Sequence, residues 1–488
     1  MLFPRPRNII LLSLSIPLIL SDPGKTQTTN VLQLNFRQDF NSYLWRTRFL
    51  RVIPLKNKHQ LVLSEIYNAD LLQSSISSDK WKDDHLFTLN YLYDLTPWIR
   101  VGSLVRSKIF ADRQTGFLND FSTHLFAAGW IASPTRKLEI RNYLGWKSDR
   151  RYDRTSNGLF YQIQSASLPF EVEEYSNQFM VDFQGDNFRG RRNRDFLFNY
   201  RLSRQFYTNT SDSLNVQIGY RKKTYFISET GDLETRIERE TNLTNWLSYQ
   251  ISPSILWDLS TRVYSRSSSV NQVVEQTSSG RREREDRGTE WESLLRFRLG
   301  GTRTGIGMRY SSHDQSYSSS ISITPSPFIG SIGIPDNRGR TFSGQAYLRW
   351  APSSKDSLTT RITISRFRYD TPDSNNFDDR DEFRSSILLG YERRFSPSLE
   401  IGVESRAYLH HLVYLFSERS ANNNWNRIIQ LGTYLRFRPS PGLTWFQRAE
   451  VQANYTTFDF EDLQFRIRSF VYRKFTIIDS IRIGSQDN

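Results

Sequence analysis

Histidine side chains are the first place to look for catalysis or metal binding in this chain. His313 lies in the stretch SSHDQS, close to Asp314 and Ser316, but nothing in that spacing fixes the geometry that a nucleophile and its base require. His410 and His411 adjoin each other, and neighbours on a strand point to opposite faces, so they cannot share a metal ion in the simplest geometry. We therefore interpret SSHDQS as an exposed polar loop and the adjacent histidines as structural or interfacial, and we predict no catalytic residue.

Carboxylates cluster in the stretch DTPDSNNFDDRDE, residues 370–382. Hard cations such as Ca²⁺ use several carboxylates and carbonyls, but the EF-hand spacing is absent, so a solvated acidic loop is favoured over an incidental Ca²⁺ site. The chain has no cysteine, which removes disulfides, thiolate metal sites and cysteine nucleophiles. Walker, Rossmann and zinc motifs are also absent, so we predict no metal and no cofactor. The clustered acids are Asp370, Asp373, Asp378, Asp379, Asp381 and Glu382.

Arginine is the residue type that most strongly indicates a function. In the C-terminal half it recurs on one face of segments in which apolar and polar residues alternate, and fewer glutamates lie on the same face. Charged groups that line a pore select ions of the opposite sign. A salt-bridged network that fills or rigidifies the lumen explains the same pattern, and the sequence leaves both readings open. The residues predicted to line a lumen and set ion selectivity are Arg296, Arg298, Arg349, Arg361, Arg394, Arg406, Arg436, Arg438, Arg448, Glu450, Arg466 and Arg468.

The elements that position these side chains are strands. In LTWFQRAEVQANY, residues 443–455, apolar or aromatic residues alternate with polar ones, and a strand puts successive side chains on opposite faces. The period of two recurs along the chain, with no convincing amphipathic helix. Segments with this alternation include residues 32–37, 87–95, 196–203, 214–221, 295–299, 399–406, 429–438 and 463–471.

Turn signals punctuate these segments, most of them roughly 40 residues apart, which is the span of two strands with a tight turn and a longer loop. Between them lie polar stretches of variable length, at residues 269–288, 311–339 and 370–382. We predict short turns at one end of the fold and long loops at the other. The turn signals lie near Pro54, Pro97, Pro134, Asn209, Pro253, Gly301, Pro352, Pro397 and Pro441.

Strands with one apolar and one charged face are typical of a β-barrel that crosses a membrane. In lipid every backbone polar group must be paired within the protein, so a sheet has to close on itself. A soluble sandwich would bury a shared apolar core, typically with strands of about five or six residues, and many segments here are longer. We predict an all-β, transmembrane, antiparallel up-and-down barrel of about 20 to 22 strands, with about 18 as the lower alternative.

The N-terminus differs from the rest of the chain. Arg5 and Arg7 precede an apolar run from Ile9 to Leu20, the pattern of a cleaved secretory signal peptide. We assign residues 1–21 to the signal peptide, 22–30 to a short periplasmic segment, 31–475 to the barrel, and 476–488 to a tail or one more strand. The mean hydropathy of −0.57 excludes a helical membrane protein, and for an exported chain the net charge of +14 favours anionic lipid headgroups or solutes over nucleic acid.

With signal peptide, alternation, tight turns and long loops together, residues 31–475 resemble bacterial outer-membrane β-barrel proteins in architecture, without a specific family motif. The resemblance implies the outer membrane of a Gram-negative-type bacterium, contact with lipid and lipopolysaccharide, and assembly by the barrel-assembly machinery. A TonB-dependent receptor would carry a large plug domain before its barrel, whereas alternation here begins by Val31, so that class is not expected. The chain also ends on Asn488 rather than on the aromatic residue common in such barrels.

On this basis we predict a non-enzymatic, porin-like passive channel for small solutes, with anions favoured by the arginine-rich face. The alternative is a non-transporting barrel that acts as a scaffold or docking partner for a surface or secretion complex. The sequence names no solute, partner protein or oligomeric state, and it leaves open whether the lumen is clear or plugged.

Overall fold

The computed structural model of the chain describes residues 31–39, 42–55, 58–73, 80–113, 120–152, 154–206, 209–227, 232–274, 278–321, 336–372, 376–461 and 468–484. The predicted signal peptide (1–21), the predicted periplasmic segment (22–30), Asp373, Arg466 and residues 485–488 lie outside these ranges.

Nearly all of the described chain is strand, as the alternation predicts. The only helix in this part of the chain is α1, a single turn at Ser417–Ser420, and no described helix is both long and apolar enough to cross a membrane. The strands of the first half are β1 (Val31–Asp39), β2 (Ser42–Pro54), β3 (His59–Leu72), β4 (Lys80–Thr96), β5 (Ile99–Asp112), β6 (Phe121–Thr135), β7 (Leu138–Arg151), β8 (Arg154–Ser167), β9 (Phe170–Val172), β10 (Tyr175–Phe188), β11 (Arg191–Gln205) and β12 (Ser211–Phe226). Those of the second half are β13 (Leu233–Ser252), β14 (Ile255–Val274), β15 (Ser278–Leu299), β16 (Thr302–Ile321), β17 (Asn337–Trp350), β18 (Asp356–Asp370), β19 (Arg380–Arg394), β20 (Leu399–Tyr414), β21 (Asn424–Ser440), β22 (Leu443–Phe458) and β23 (Phe470–Gly484).

The strands close into one antiparallel barrel. Each strand pairs with the next along the chain, except that β8 and β9 both pair with β10, and β1 pairs with β23, with Val31 opposite Gly484. The short β9 pairs only with the first residues of β10 and continues the line of β8, which pairs with the rest of β10. The barrel wall therefore has 22 strands, which confirms the predicted all-β closed barrel at the upper end of the predicted strand number.

The two faces of the wall separate as the alternation predicts. Leu431, Val451 and Phe475 lie side by side in register on β21, β22 and β23, and Leu431 and Phe475 are 50% and 68% exposed. One residue along, Gln430 donates a hydrogen bond to Gln452 across the same strand pair, at 2.8 Å. On these strands the apolar side chains form one face and the polar ones the other.

The polar face is the concave one. Side chains converge on the inside of a curved sheet, so only there do residues two strands apart readily meet. Arg448 on β22 reaches Glu404 on β20 at 2.8 Å, and the Tyr434 hydroxyl on β21 donates to Glu392 on β19 at 2.7 Å. The same holds in the first half, where Arg100 on β5 reaches an acid on β7 at 2.9 Å. The apolar face is therefore the convex surface.

The connections differ at the two ends of the barrel. All the predicted turn signals fall at one end, named here the short-turn end, where β4 and β5 are joined through residues 97–98 and β15 and β16 through residues 300–301. The opposite end, named the loop end, carries the connections at residues 322–336, 371–379 and 459–469. By analogy with the length asymmetry of outer-membrane barrels, we expect the loop end to be extracellular.

The loop predicted at residues 269–288 is largely strand, and the one predicted at 311–339 begins and ends in strand, which corrects the sequence interpretation. Residues 269–288 belong to β14 and β15 except for 275–277, and β16 continues to Ile321. These residues are paired across the sheet, with Asn271 opposite Arg281 and Asp286 opposite Gln315, and Gln315 donates a hydrogen bond to Asp286 at 2.5 Å. At the C-terminus, β23 runs through Phe475, the predicted end of the barrel, to Gly484.

The orientation of the barrel can be tested with single cysteines, because the chain has none of its own. Glu418 lies exposed in α1 at the loop end, and Lys355 lies exposed at the short-turn end. We expect Glu418→Cys to react with a membrane-impermeant maleimide on intact cells, and Lys355→Cys to react only after the outer membrane is permeabilised. Labelling in the reverse order would show that the barrel is inserted the other way.

Candidate functional site

The concave wall is held by ion pairs, so the salt-bridged reading of the arginine pattern applies to part of the predicted set. Arg436 binds Glu400 at 2.5 Å, Arg448 lies between Glu404 at 2.8 Å and Glu450 at 2.9 Å, and Arg296 pairs with Asp258. These arginines are half-buried. Their positive charges are neutralised locally, and their side chains are fixed by their partners.

The remaining arginines of the predicted set divide differently. Six lie exposed within strands, and among the described residues none of the six has a carboxylate within ion-pair distance; Arg349 donates instead to the Ser357 hydroxyl at 3.1 Å. Arg468 lies just before β23 rather than within a strand, and Arg466 falls outside the described residues. The wall therefore combines neutralised arginines with exposed ones that a solute could reach. The six are Arg298, Arg349, Arg361, Arg394, Arg406 and Arg438.

A recess of about 670 Å³ opens on the concave face of β10 to β15. Its charged lining comes in pairs: Arg221 contacts Asp195 at 3.1 Å and Glu238 at 3.4 Å, Arg236 binds Glu238 at 2.7 Å, and Arg266 of the neighbouring strand also lines it. This volume lies within the range of roughly 300–1,000 Å³ typical of small-molecule sites. The recess presents carboxylate oxygens and guanidinium N–H groups side by side, so it can both accept and donate hydrogen bonds to a polar ligand.

The recess was missed from the sequence, although a signal existed. The stretches TRIERET, residues 235–241, and GRREREDRG, residues 280–288, alternate arginine with acid. The second stretch lies in a segment predicted to be a loop, and the first lies outside the C-terminal half in which the arginine pattern was recognised. Only the register of β12 to β15 brings the two stretches to one concave patch.

A second polar cluster forms near the loop end around Glu382, which receives hydrogen bonds from Arg380 at 2.9 Å and from Arg384 and lies 3.1 Å from His410 Nε2. His411 points to the other face, where it stacks on the Trp425 ring at 3.9 Å between centroids. The two histidines are thus separated, as strand geometry predicts. Among the residues that the structure describes, no three His, Cys, Asp or Glu side chains are grouped to hold a metal ion.

His313 corrects another expectation, because it lies within β16 rather than in a loop. Its ring stacks on Phe367 of β18 at 6.4 Å between centroids, across Gly339 of the intervening strand. A Cβ at Gly339 would come within 2.1 Å of the His313 ring, so glycine is what leaves room for the contact. The position of His313 is explained by packing, and no carboxylate of the described residues lies within hydrogen-bond distance of its ring to make it a general base.

The wall between β5 and β11 is packed more tightly than elsewhere. Leu104, Leu125, Ala127, Tyr143 and Phe160 form a buried apolar cluster on its concave side. Toward the loop end the Arg191 side chain, 3% exposed, binds Asp149 three strands away at 2.5 Å. Contacts over that span require sharp local curvature, so this part of the wall forms a corner of the barrel.

Comparison with known proteins gives structural likeness only. No protein-family model matches the chain, and no curated protein sequence is similar to it. Among solved structures, the chain is similar to BauA, the ferric preacinetobactin receptor from Acinetobacter baumannii, with 10% identity and a TM-score of 0.40 over 93% of this chain and 80% of that one. It is also similar to the copper transporter OprC, with 6% identity and a TM-score of 0.43 over 95% and 82%. The ferric enterobactin receptor PfeA from Pseudomonas aeruginosa has 9% identity and a TM-score of 0.45 over 95% and 81%.

A closed antiparallel barrel with an apolar convex face is the architecture of an outer-membrane β-barrel of the Gram-negative type, in which that face contacts lipid. The prediction of a porin-like passive channel is wrong. The barrels to which the chain is similar are receptors and transporters of ferric siderophores, ferric citrate and copper. The strand number gives the physical reason: barrels of 16 to 18 strands leave an aqueous channel, whereas 22-stranded outer-membrane transporters are wider and plugged. The sequence-based exclusion of TonB-dependent receptors relied on the plug domain that they are expected to carry. A plug domain is separate from the barrel wall, so that argument does not apply to the fold of the wall itself.

Proposed function

We propose that this chain is the barrel of a ligand-specific outer-membrane transport receptor, which binds a small polar solute on its concave wall. The observation that carries the proposal is the recess on β10 to β15, whose volume suits a small molecule and whose lining includes charged side chains of both signs. A ligand held there lies on the route between the two ends of the barrel. The role is non-catalytic, and binding selects what passes.

The width of the barrel supports selection by binding rather than by size. Barrel diameter grows roughly in proportion to strand number, so an unobstructed lumen of 22 strands would admit solutes that an outer membrane has to exclude. Discrimination must then come from specific contacts and from whatever closes the lumen. The ion pairs of the recess suit this purpose, because paired side chains keep fixed positions and bind a ligand without first being ordered.

The chemistry of the recess favours a hydroxylated or zwitterionic ligand. Arg221, Arg236 and Arg266 offer N–H donors, while Asp195 and Glu240 offer acceptors at the same surface. A ligand with only one sign of charge would displace one partner of each pair and leave the other unsatisfied. The exposed arginines elsewhere on the wall, including Arg361 and Arg406, provide further contacts for acidic groups of the solute as it moves.

Biogenesis is part of the same proposal. Residues 1–21 direct export across the inner membrane and are then removed. The barrel-assembly machinery inserts the chain, with β23 pairing to β1 as the closing step.

The test is a thermal-shift screen of the purified barrel in detergent against sugars, carboxylates, phosphates and ferric chelates. One class should raise the midpoint of unfolding, since a ligand at 100 times its Kd stabilises by about 2.7 kcal/mol. The double change Arg266→Gln with Glu240→Gln should abolish that shift. The matched control is Arg436→Gln with Glu400→Gln, another pair on the concave face outside the recess, which should preserve it. Stabilisation by no class, or a shift lost only in the control, would refute the proposal.

A further inference from the structure

Three arginines stand in one row at the short-turn end of the concave face. Arg298 of β15 lies directly opposite Arg303 of β16, and Arg303 lies directly opposite Arg349 of β17. All three are exposed. Neighbouring strands are about 4.8 Å apart, so the row places three cationic side chains side by side over roughly 10 Å.

The row lacks neutralising partners within the described part of the chain. The nearby carboxylates are already engaged: Asp258 pairs with Arg296, and Asp356 accepts hydrogen bonds from Ser353 at 2.6 Å and Tyr391 at 2.7 Å. Like charges directly opposite each other on neighbouring strands destabilise a sheet. In the recess and around Glu404 the arginines are paired with acids. In this row, by contrast, three adjacent positive charges have no counter-ion among the described residues, and an anion from outside the barrel would neutralise them.

We propose that Arg298, Arg303 and Arg349 bind a ligand that carries two or more oxyanion groups, phosphates or carboxylates, spaced to match adjacent strands. The planar guanidinium group donates two parallel hydrogen bonds to such a group. Thr359 continues the row on β18, where it lies opposite Arg349, and Arg361, two residues further along that strand, adds a fourth exposed cation. The site is separate from the recess and does not depend on the transport function proposed above.

A single phosphate does not satisfy this arrangement. One oxyanion can bridge two adjacent guanidinium groups but leaves the third facing its neighbour's positive charge. A ligand with linked oxyanions neutralises all three, so affinity should rise steeply from one oxyanion group to several. Two sources offer this chemistry at the short-turn end: a soluble oligo-anion, or a phospholipid headgroup with two phosphates such as that of cardiolipin.

The test is isothermal titration of the purified full chain in detergent at low ionic strength, with tripolyphosphate and orthophosphate as probes. Tripolyphosphate should bind at least about tenfold more tightly than orthophosphate. Arg303→Gln should weaken tripolyphosphate binding about tenfold, since it removes the central charge-assisted contact. Without any anion, the same change should raise the midpoint of thermal unfolding, because it relieves the repulsion from both neighbours. That rise separates loss of the site from damage to the fold.

The control variant is Arg366→Gln on the convex side of β18, an exposed arginine already paired with Asp381, and it should bind tripolyphosphate as the parent chain does. Cardiolipin in mixed micelles tells the two sources apart: competition with tripolyphosphate supports a lipid headgroup, and its absence supports a soluble anion. The site is overturned if Arg303→Gln leaves tripolyphosphate binding unchanged, if the two phosphates bind equally, or if Arg303→Gln lowers the unfolding midpoint of the anion-free protein.

Discussion

Asp149→Leu should lower the free energy of unfolding by about 3–5 kcal/mol, because it leaves the Arg191 guanidinium buried without its counter-ion. Arg191 is 3% exposed at its side chain and also donates to the Thr224 carbonyl at 2.9 Å. Its guanidinium lies 4.4 Å from the Phe188 ring centroid. These contacts hold the cation in place, so it cannot escape to water once Asp149 is gone. The measurement is urea unfolding of the barrel refolded into phospholipid vesicles, followed by tryptophan fluorescence.

Two variants bracket that result. Arg366→Gln breaks the ion pair with Asp381. Because the Arg366 side chain is 68% exposed, this change should lower the free energy of unfolding by less than about 1 kcal/mol. Asp149→Leu combined with Arg191→Met removes both buried charges together and should recover most of the stability. If Asp149→Leu cost no more than Arg366→Gln, the corner around Arg191 would be open to water rather than packed.

Val451→Arg should reduce the yield of folded barrel sharply, with a cost of about 2–4 kcal/mol, because it places a charge on the convex face near the middle of the membrane. Val451 is central in β22 and lies in register between Leu431 and Phe475. The folded fraction after refolding into vesicles can be read by gel electrophoresis of unheated samples, in which folded and unfolded barrels migrate differently.

The matched control for Val451→Arg is the next residue. Gln452 points to the concave face, where Gln430 donates to it, so Gln452→Arg puts the same charge among polar groups and should cost less. Equal yields for the two variants would mean that the faces are assigned the wrong way round or that this strand does not cross lipid.

The fold could be predicted from the sequence because the information that specifies it is local. A period of two is visible within a single strand, as in LTWFQRAEVQANY, and it assigns each residue of that strand to one face without knowledge of any partner. Turn signals such as those at Pro253 and Gly301 are local as well, and they mark where strands end. Repetition of these two signals over the chain, without amphipathic helices, leaves a closed barrel as the arrangement that pairs every backbone group in lipid.

Local patterns did not predict the strands at residues 269–288, where apolar and polar residues do not alternate. Residues 269–288 are polar on both faces, and the sequence gives no alternation to mark them as strand. They pair because β14 and β15 continue in register through these residues, and Asp286 accepts a hydrogen bond from Gln315 of β16. The function was misjudged for a related reason: an excess of arginine indicates which ions a wall attracts, but it does not show whether the lumen serves as a free path.

Tertiary structure alone decided which charges meet. Val31 and Gly484 become neighbours through closure of the barrel, and Arg448 finds Glu404 two strands away, although each lies far from the other in sequence. Whether an arginine is neutralised, as Arg448 is, or stands beside two others, as Arg303 does, depends on the register of its strand against both neighbours. Register is set by the lengths of turns and by the pairing of whole strands, so shifting a single strand pair by two residues would preserve every face that the sequence predicts but change the ion pairs made across that strand pair.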